Sequence, residues 1–174
     1  YMLASAFFRL IDAGRIDDKT MPTHAFVHVY KDFMQLVNST KVWTNTEKIL
    51  GMEQSLVSTN DISTTMRIQR YKLIDEILPL REFKYAVWNY AKPKDFNGFV
   101  NENLKLWKPY FQKKVGKNGL AGYGILARVH PQGMEQSSVL TYDHYTDLAS
   151  AMQALSPMDY DQSIISKSKM SEYD

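Results

Sequence analysis

From His24 to Tyr30 apolar and other residues alternate: Ala25, Val27 and Val29 fall on one side, and His24, Phe26, His28 and Tyr30 on the other. A period of two marks a strand with two different faces. Runs of similar character predict strands over 2–11, 65–75, 83–91, 120–130 and 137–144. The last two read as a hairpin across His130-Pro131-Gln132-Gly133. Between the strands the period lengthens. Phe96, Phe99, Val100, Leu104, Trp107 and Phe111 share one face at helical spacing, with Asp95 at the N-cap position, which predicts a helix over 95–114. Pro109 is expected to kink or end its regular part. Leu148, Ala151, Met152 and Leu155 predict a shorter helix over 146–156, opened by Thr146. Phe33, Leu36 and Val37 begin another over 32–50, which Thr44-Asn45-Thr46-Glu47 would restart as a capping box. Trp43 and Trp107 fall on helix stripes and read as core.

The elements recur along the chain. Phe7-Phe8-Arg9-Leu10-Ile11-Asp12 resembles Arg70-Tyr71-Lys72-Leu73-Ile74-Asp75, and Lys31-Asp32-Phe33 resembles Lys94-Asp95-Phe96; both pairs are offset by 63 positions (Asp12 to Asp75, Asp32 to Asp95). A recurring period of this size points to a duplicated supersecondary unit. Residues 83–156 read β-α-β-β-α, one strand short of a ferredoxin-like βαββαβ unit, and residues 1–75 read as its last four elements. The expected fold is α+β: ferredoxin-like units in tandem, with antiparallel sheets and helices on one face. The expected division is 1–79, an incomplete unit lacking its first strand and helix, and 80–174, a second unit short of its last strand. On this reading Tyr1 falls inside a domain.

Composition narrows the function classes. Of 174 residues, 44% are hydrophobic and 23% charged, enough for a packed core. Lys and Arg number 21 against 19 Asp and Glu, a net charge of +2, which argues against a nucleic-acid partner. The cluster Lys105, Lys108, Lys113, Lys114 and Lys117 then reads as a solvated helix face. No apolar run approaches the ~18–20 residues of a membrane span. The chain has no cysteine, so disulfides, thiol nucleophiles and Cys-ligated metals are excluded. That absence fits the cytoplasm or an exported protein whose upstream signal has been removed, and leaves the compartment open. No phosphate-binding, dinucleotide, zinc-protease, serine-hydrolase or calcium-loop motif occurs.

The strand from Phe83 to Ala91, then Pro93-Lys94-Asp95-Phe96, Leu106-Trp107-Lys108-Pro109 and Gly122-Tyr123-Gly124 resemble the dimeric α-β barrel superfamily, in particular uncharacterised bacterial members. The resemblance implies a sheet with helices on one face. Its other face would close against a second sheet, through self-association or tandem pairing, around a central cavity. Members include cofactor-independent monooxygenases, lactone isomerases, aldoxime dehydratases and haem-dependent chlorite dismutases, so the fold does not choose a reaction.

In such a barrel the strand face turned from the helices lines the cavity. His24, Phe26, His28 and Tyr30 would then point inward, with His28 and Tyr30 as candidate proton-handling residues. Asn89 is the third candidate catalytic residue, because Asn, Trp and His surround the substrate in the monooxygenases. Trp88 and Tyr90, with His24, Phe26 and Arg70, are candidate ligand-binding residues. Ordinary packing of aromatic residues on a sheet is the competing reading. Asp143 and His144 make a poor metal pair, because adjacent strand residues project to opposite faces, and no metal site is assigned. No cofactor is expected; the alternative is haem with His28 or His130 as axial ligand. The expected function is small-molecule binding, with a small aromatic ligand, or assembly. The alternative is a cofactor-independent monooxygenase or isomerase acting on an aromatic or polyketide-like compound.

Overall fold

In the computed structural model, which describes residues 4–9, 23–45, 48, 51, 68–78, 82–133, 137–156 and 161–173, the alternating run at 24–30 forms strand β2 (His24–Val29). It pairs antiparallel with β1 (Ala4–Arg9), with Phe7 opposite Phe26 and Ser5 opposite His28. Helix α1 (Phe33–Thr44) follows. It opens where Asp32 Oδ1 accepts the Gln35 amide at 2.8 Å, an N-cap that satisfies a donor the first turn would otherwise leave unpaired. These elements belong to one unit of the chain, Tyr1–Ile68; the second is Gln69–Asp174. The side chain of Trp43, the Thr46-Glu47 half of the proposed capping box and positions 65–67 of the strand expected over 65–75 lie outside the described residues.

The C-terminal unit is built on four strands: β3 (Arg70–Ile77), β4 (Tyr85–Ala91), β5 (Leu120–His130) and β6 (Val139–Tyr145). Their order is β3-β5-β6-β4, and every neighbouring pair is antiparallel. Strands β4 and β5 therefore run parallel, with β6 between them. The expected hairpin of β5 and β6 is present. β3, read from the sequence as the end of the first unit, instead pairs along β5. Physically, β3 carries Ile74, which packs on the Phe99–Ile125–Val139 cluster, and it covers an edge of the longest strand that would otherwise expose unpaired backbone groups.

A helical segment joins β4 to β5. It begins as α2 (Phe96–Glu102), where Asp95 Oδ1 accepts the Gly98 amide at 2.9 Å, as its sequence position predicted. A π-helical turn over Asn103–Trp107 interrupts it before α3 (Lys108–Lys114). The expected disturbance at Pro109 thus falls one turn earlier. A proline ring crowds the carbonyl four residues before it, here that of Lys105, and a wider turn relieves such crowding. After β6, helix α4 (Leu148–Ala154) is capped by Asp147, whose Oδ1 accepts the Ser150 amide at 2.8 Å, rather than by Thr146. A single turn, α5 (Gln162–Ile165), and a 3-10 turn (Met170–Glu172) end the described chain.

Two apolar clusters hold the helices on one sheet face: Phe99 against Ile125 and Val139, and Ala151 against Leu120 and Tyr145. Among the described residues the class is mixed α+β, with antiparallel sheets of two and four strands. No described helix is long and apolar enough to cross a membrane.

Candidate functional site

The register of the C-terminal sheet sorts its side chains into two faces. Asn89 lies opposite Thr141, and Val87 and Tyr123 both lie opposite Asp143. These residues face the helices. Between them and the helical segment is a cavity of about 310 Å³, lined by Asn89, Tyr123, Thr141 and Asp143 from the strands, by Phe99, Asn103, Trp107 and Phe111 from the helical side, and by Met170. That volume is at the small end of ligand sites. The π-helical turn supplies two of the lining residues, Asn103 and Trp107. Such turns recur at functional sites.

Most polar groups around the cavity are held. Tyr123 donates its hydroxyl to Asn103 Oδ1 at 2.7 Å, and Asn103 Nδ2 donates to the Phe99 carbonyl at 2.9 Å. Trp107 Nε1 donates to Glu102 Oε1 at 3.2 Å, and the Glu102 carboxylate also accepts from Ser168 Oγ and from the Lys169 amide. That anchors the C-terminal segment carrying Met170. Rings close one wall: Phe111 stacks on Tyr123 with centroids 4.5 Å apart.

Asp143 is the exception. It is 5% exposed. Its Oδ2 accepts a long hydrogen bond from Asn89 Nδ2 at 3.4 Å, and its Oδ1 has no hydrogen-bond partner among the described residues. Burial of a carboxylate disfavours its charged form. Loss of water pushes the Asp143 carboxyl up to about 7, against a smaller lowering by Asn89.

The opposite face carries a second cluster. Tyr142 reaches across Gly124 to donate to Glu76 Oε2 at 3.0 Å. A Cβ at position 124 would lie 2.2 Å from the Tyr142 ring, so this crossing requires glycine. His144 stacks on Phe83, with centroids 3.7 Å apart, and lies beside Tyr142 at 4.7 Å. Burial pushes its imidazole down to about 4. Desolvation, with the negative Glu76 beside it, raises the Tyr142 phenol well above its usual value.

Of the residues chosen from the sequence, Asn89 lines the cavity. Trp88 and Tyr90 are on the other face, opposite Tyr142 and Leu140; Trp88 is half-buried and Tyr90 is exposed. Arg70 opens β3, opposite His130. His24, Phe26 and His28 are exposed on the two-stranded sheet of the N-terminal unit. There His28 shares a 3.1 Å hydrogen bond with Ser5 Oγ, and His24 stacks on Phe7. Tyr30 lies just past the end of β2. The cavity is therefore on the helix side of its sheet, whereas the superfamily resemblance had placed one on the other side. Asp143 and His144 project to opposite faces, and no group of three or more potential metal ligands occurs among the described residues. No histidine is among the described residues lining the cavity, and His28 and His130, the residues expected as haem ligands, are exposed.

Asp143 was missed as a cavity residue. The available signal was its phase: Val139, Thr141, Asp143 and Tyr145 share one face of β6, a charged residue set among partners that suit a core. Lys108 also departs from its expected role. It is not simply solvated but bonds Asp75 Oδ2 at 2.6 Å, tying α3 to β3. No family model, curated protein or solved structure matches the chain.

Proposed function

We propose that the chain is a small-molecule-binding protein whose site is the helix-side cavity of the C-terminal unit. The observation that carries this reading is Asp143: a buried carboxyl with an unpartnered oxygen on the wall of a cavity of about 310 Å³. A polar group is buried at such cost mainly where something else meets it. The rest of the lining is aromatic and amide with Thr141 and Met170, the composition of a site for a compact, partly apolar ligand. Screening a fragment set by ligand-observed NMR tests this. The expected result is binders that perturb the Trp107 indole resonance and lose affinity in Trp107→Leu. A screen without such binders overturns it.

The scaffold is read as a ferredoxin-like unit of the dimeric α-β barrel type. Support comes from the β4-β6-β5 order, the helical connection between parallel β4 and β5, and helices on one face. Self-association of sheets goes with this reading, supported by the exposed Phe7 and Phe26 of the two-stranded sheet. Light scattering should give a dimer mass, and a monomer at all concentrations removes this part.

A second reading is a cofactor-independent isomerase or monooxygenase. It is favoured by one observation: Asp143, held near neutrality beside Asn89, is suited to take and return a proton at ordinary pH. Asp143→Asn should then abolish turnover of an identified substrate while leaving its binding measurable. Undiminished turnover excludes the role.

A further inference from the structure

We propose that the cavity takes a small organic cation with a flat apolar body, an aryl amidine or a protonated aryl amine, with Asp143 as its counter-charge. This rests on the binding reading above and names the ligand class.

Three observations lead to it. First, no Lys, Arg or His is among the described lining residues, and Lys108, next to Trp107 in the chain, is engaged with Asp75 at 2.6 Å. An ionised Asp143 has no countercharge among the described residues of the cavity wall, and a buried carboxylate without one is costly. Its bare Oδ1 lacks a donor, which an amidinium or ammonium N–H supplies in a charge-assisted bond. Second, the aromatic residues Phe99, Trp107, Phe111 and Tyr123 line the space, and aromatic rings attract cations over their faces more readily than anions. Third, at about 310 Å³ the space is at the small end of ligand sites, which suits one substituted ring.

Neighbouring groups leave Asp143 as the charge that responds. Tyr123 gives its hydroxyl to Asn103, Glu102 is occupied by Trp107, Ser168 and Lys169, and His144 lies on the other face of the sheet. Tyr85 and Tyr145 share the helix-side face but pack in the Leu120 cluster. Binding of a cation therefore requires the ionised carboxyl and is accompanied by proton release wherever Asp143 is still protonated.

The test uses three probes of nearly one shape: benzamidine (cation), benzamide (neutral) and benzoate (anion), titrated into the whole chain at pH 8 and pH 5.5. Benzamidine is expected to bind at pH 8 with a shift of the Trp107 indole signal, and benzamide and benzoate at least about tenfold more weakly. At pH 5.5 the benzamidine affinity is expected to fall by about thirtyfold, because only a few per cent of a carboxyl titrating near 7 is then ionised. Asp143→Asn should remove the preference for the cation. The wild-type comparison of the three probes and its pH dependence decide the matter without that variant. Benzamide binding as tightly as benzamidine, a preference for benzoate, or benzamidine affinity independent of pH overturns the cation assignment while leaving the binding reading in place. Failure of all three probes, together with an empty fragment screen, overturns both.

Discussion

Asp143 and His144 are adjacent in β6, yet they occupy opposite faces of one sheet and respond to burial in opposite senses. Asp143 faces the helices, and loss of water keeps its carboxyl protonated up to about 7. His144 faces away, pressed against Phe83, and loss of water keeps its imidazole neutral down to about 4. Both are held uncharged by the same cause, desolvation. Their surroundings differ in use. The helix face leaves a space beside its buried acid, whereas on the other face rings pack against a partly buried histidine. A buried ionisable group beside a space invites a ligand, and one packed against rings mainly imposes a pH limit on the fold.

The largest test of this contrast is Asp143→Asn. The native carboxyl titrates above its unfolded value of 3.8, so its contribution is fully present below that value and is lost as pH rises towards 7. At pH 8 the variant should therefore be more stable than the wild type by up to about 4 kcal/mol, three units at 1.36 kcal/mol each. Near pH 4 the difference should almost vanish. Urea unfolding at the two pH values measures it, and equal differences at both would mean that Asp143 is not desolvated.

Next in size is Gly124→Ala on the other face. The new Cβ must displace the Tyr142 ring and break its bond to Glu76, at a cost of about 1–3 kcal/mol. The same substitution should return the phenol towards its ordinary titration range in a spectrophotometric scan. A variant as stable as wild type with an unshifted phenol would show that the ring does not cross the sheet there.

His144→Phe probes the opposite pH limb and is best read in the Asp143→Asn background, where the carboxyl's contrary trend is absent. The depressed imidazole contributes stability above its unfolded value of 6.5 that is lost as pH falls towards about 4. With partial solvent screening, the loss should be about 1–2 kcal/mol over that window, and His144→Phe should flatten it. A limb of unchanged slope assigns the effect to another group. The smallest effect belongs to the half-exposed Lys108–Asp75 pair. Lys108→Ala should cost under about 1 kcal/mol at pH 7. The Asp75 carboxyl, held below its ordinary range chiefly by Lys108, makes a contribution that is lost as pH falls through that range. The cost should therefore disappear in strong acid, and a cost that persists there would be one of packing alone.

Much of the C-terminal unit was legible because its signals are local. Asp95 caps the helix its position predicts, β5 and β6 pair as the turn residues imply, and Asn89, a candidate from its strand, lines the cavity. Asp143 shows in the sequence only as the neighbour of His144. Its role comes from residues distant in the chain: Asn89 bonds it, and Asn103 and Trp107 line the same cavity, only when β4, β6 and the helical segment assemble. The partner of β3 was likewise unreadable, since a strand's period reports that it has two faces and not which edge it joins.

The sequence by itself determined where strands and helices form, which positions share a face, that cysteine chemistry is absent and that net charge is small. These follow from side-chain periodicity, caps and composition, which act over a few residues. Only the tertiary structure decided which face of the sheet the helices cover. It also decided that a π-helical turn lines the same cavity as Asp143 and that this space remains beside the carboxyl. Those outcomes depend on which distant surfaces exclude water from each other, and a carboxyl is shifted only by the groups that finally surround it.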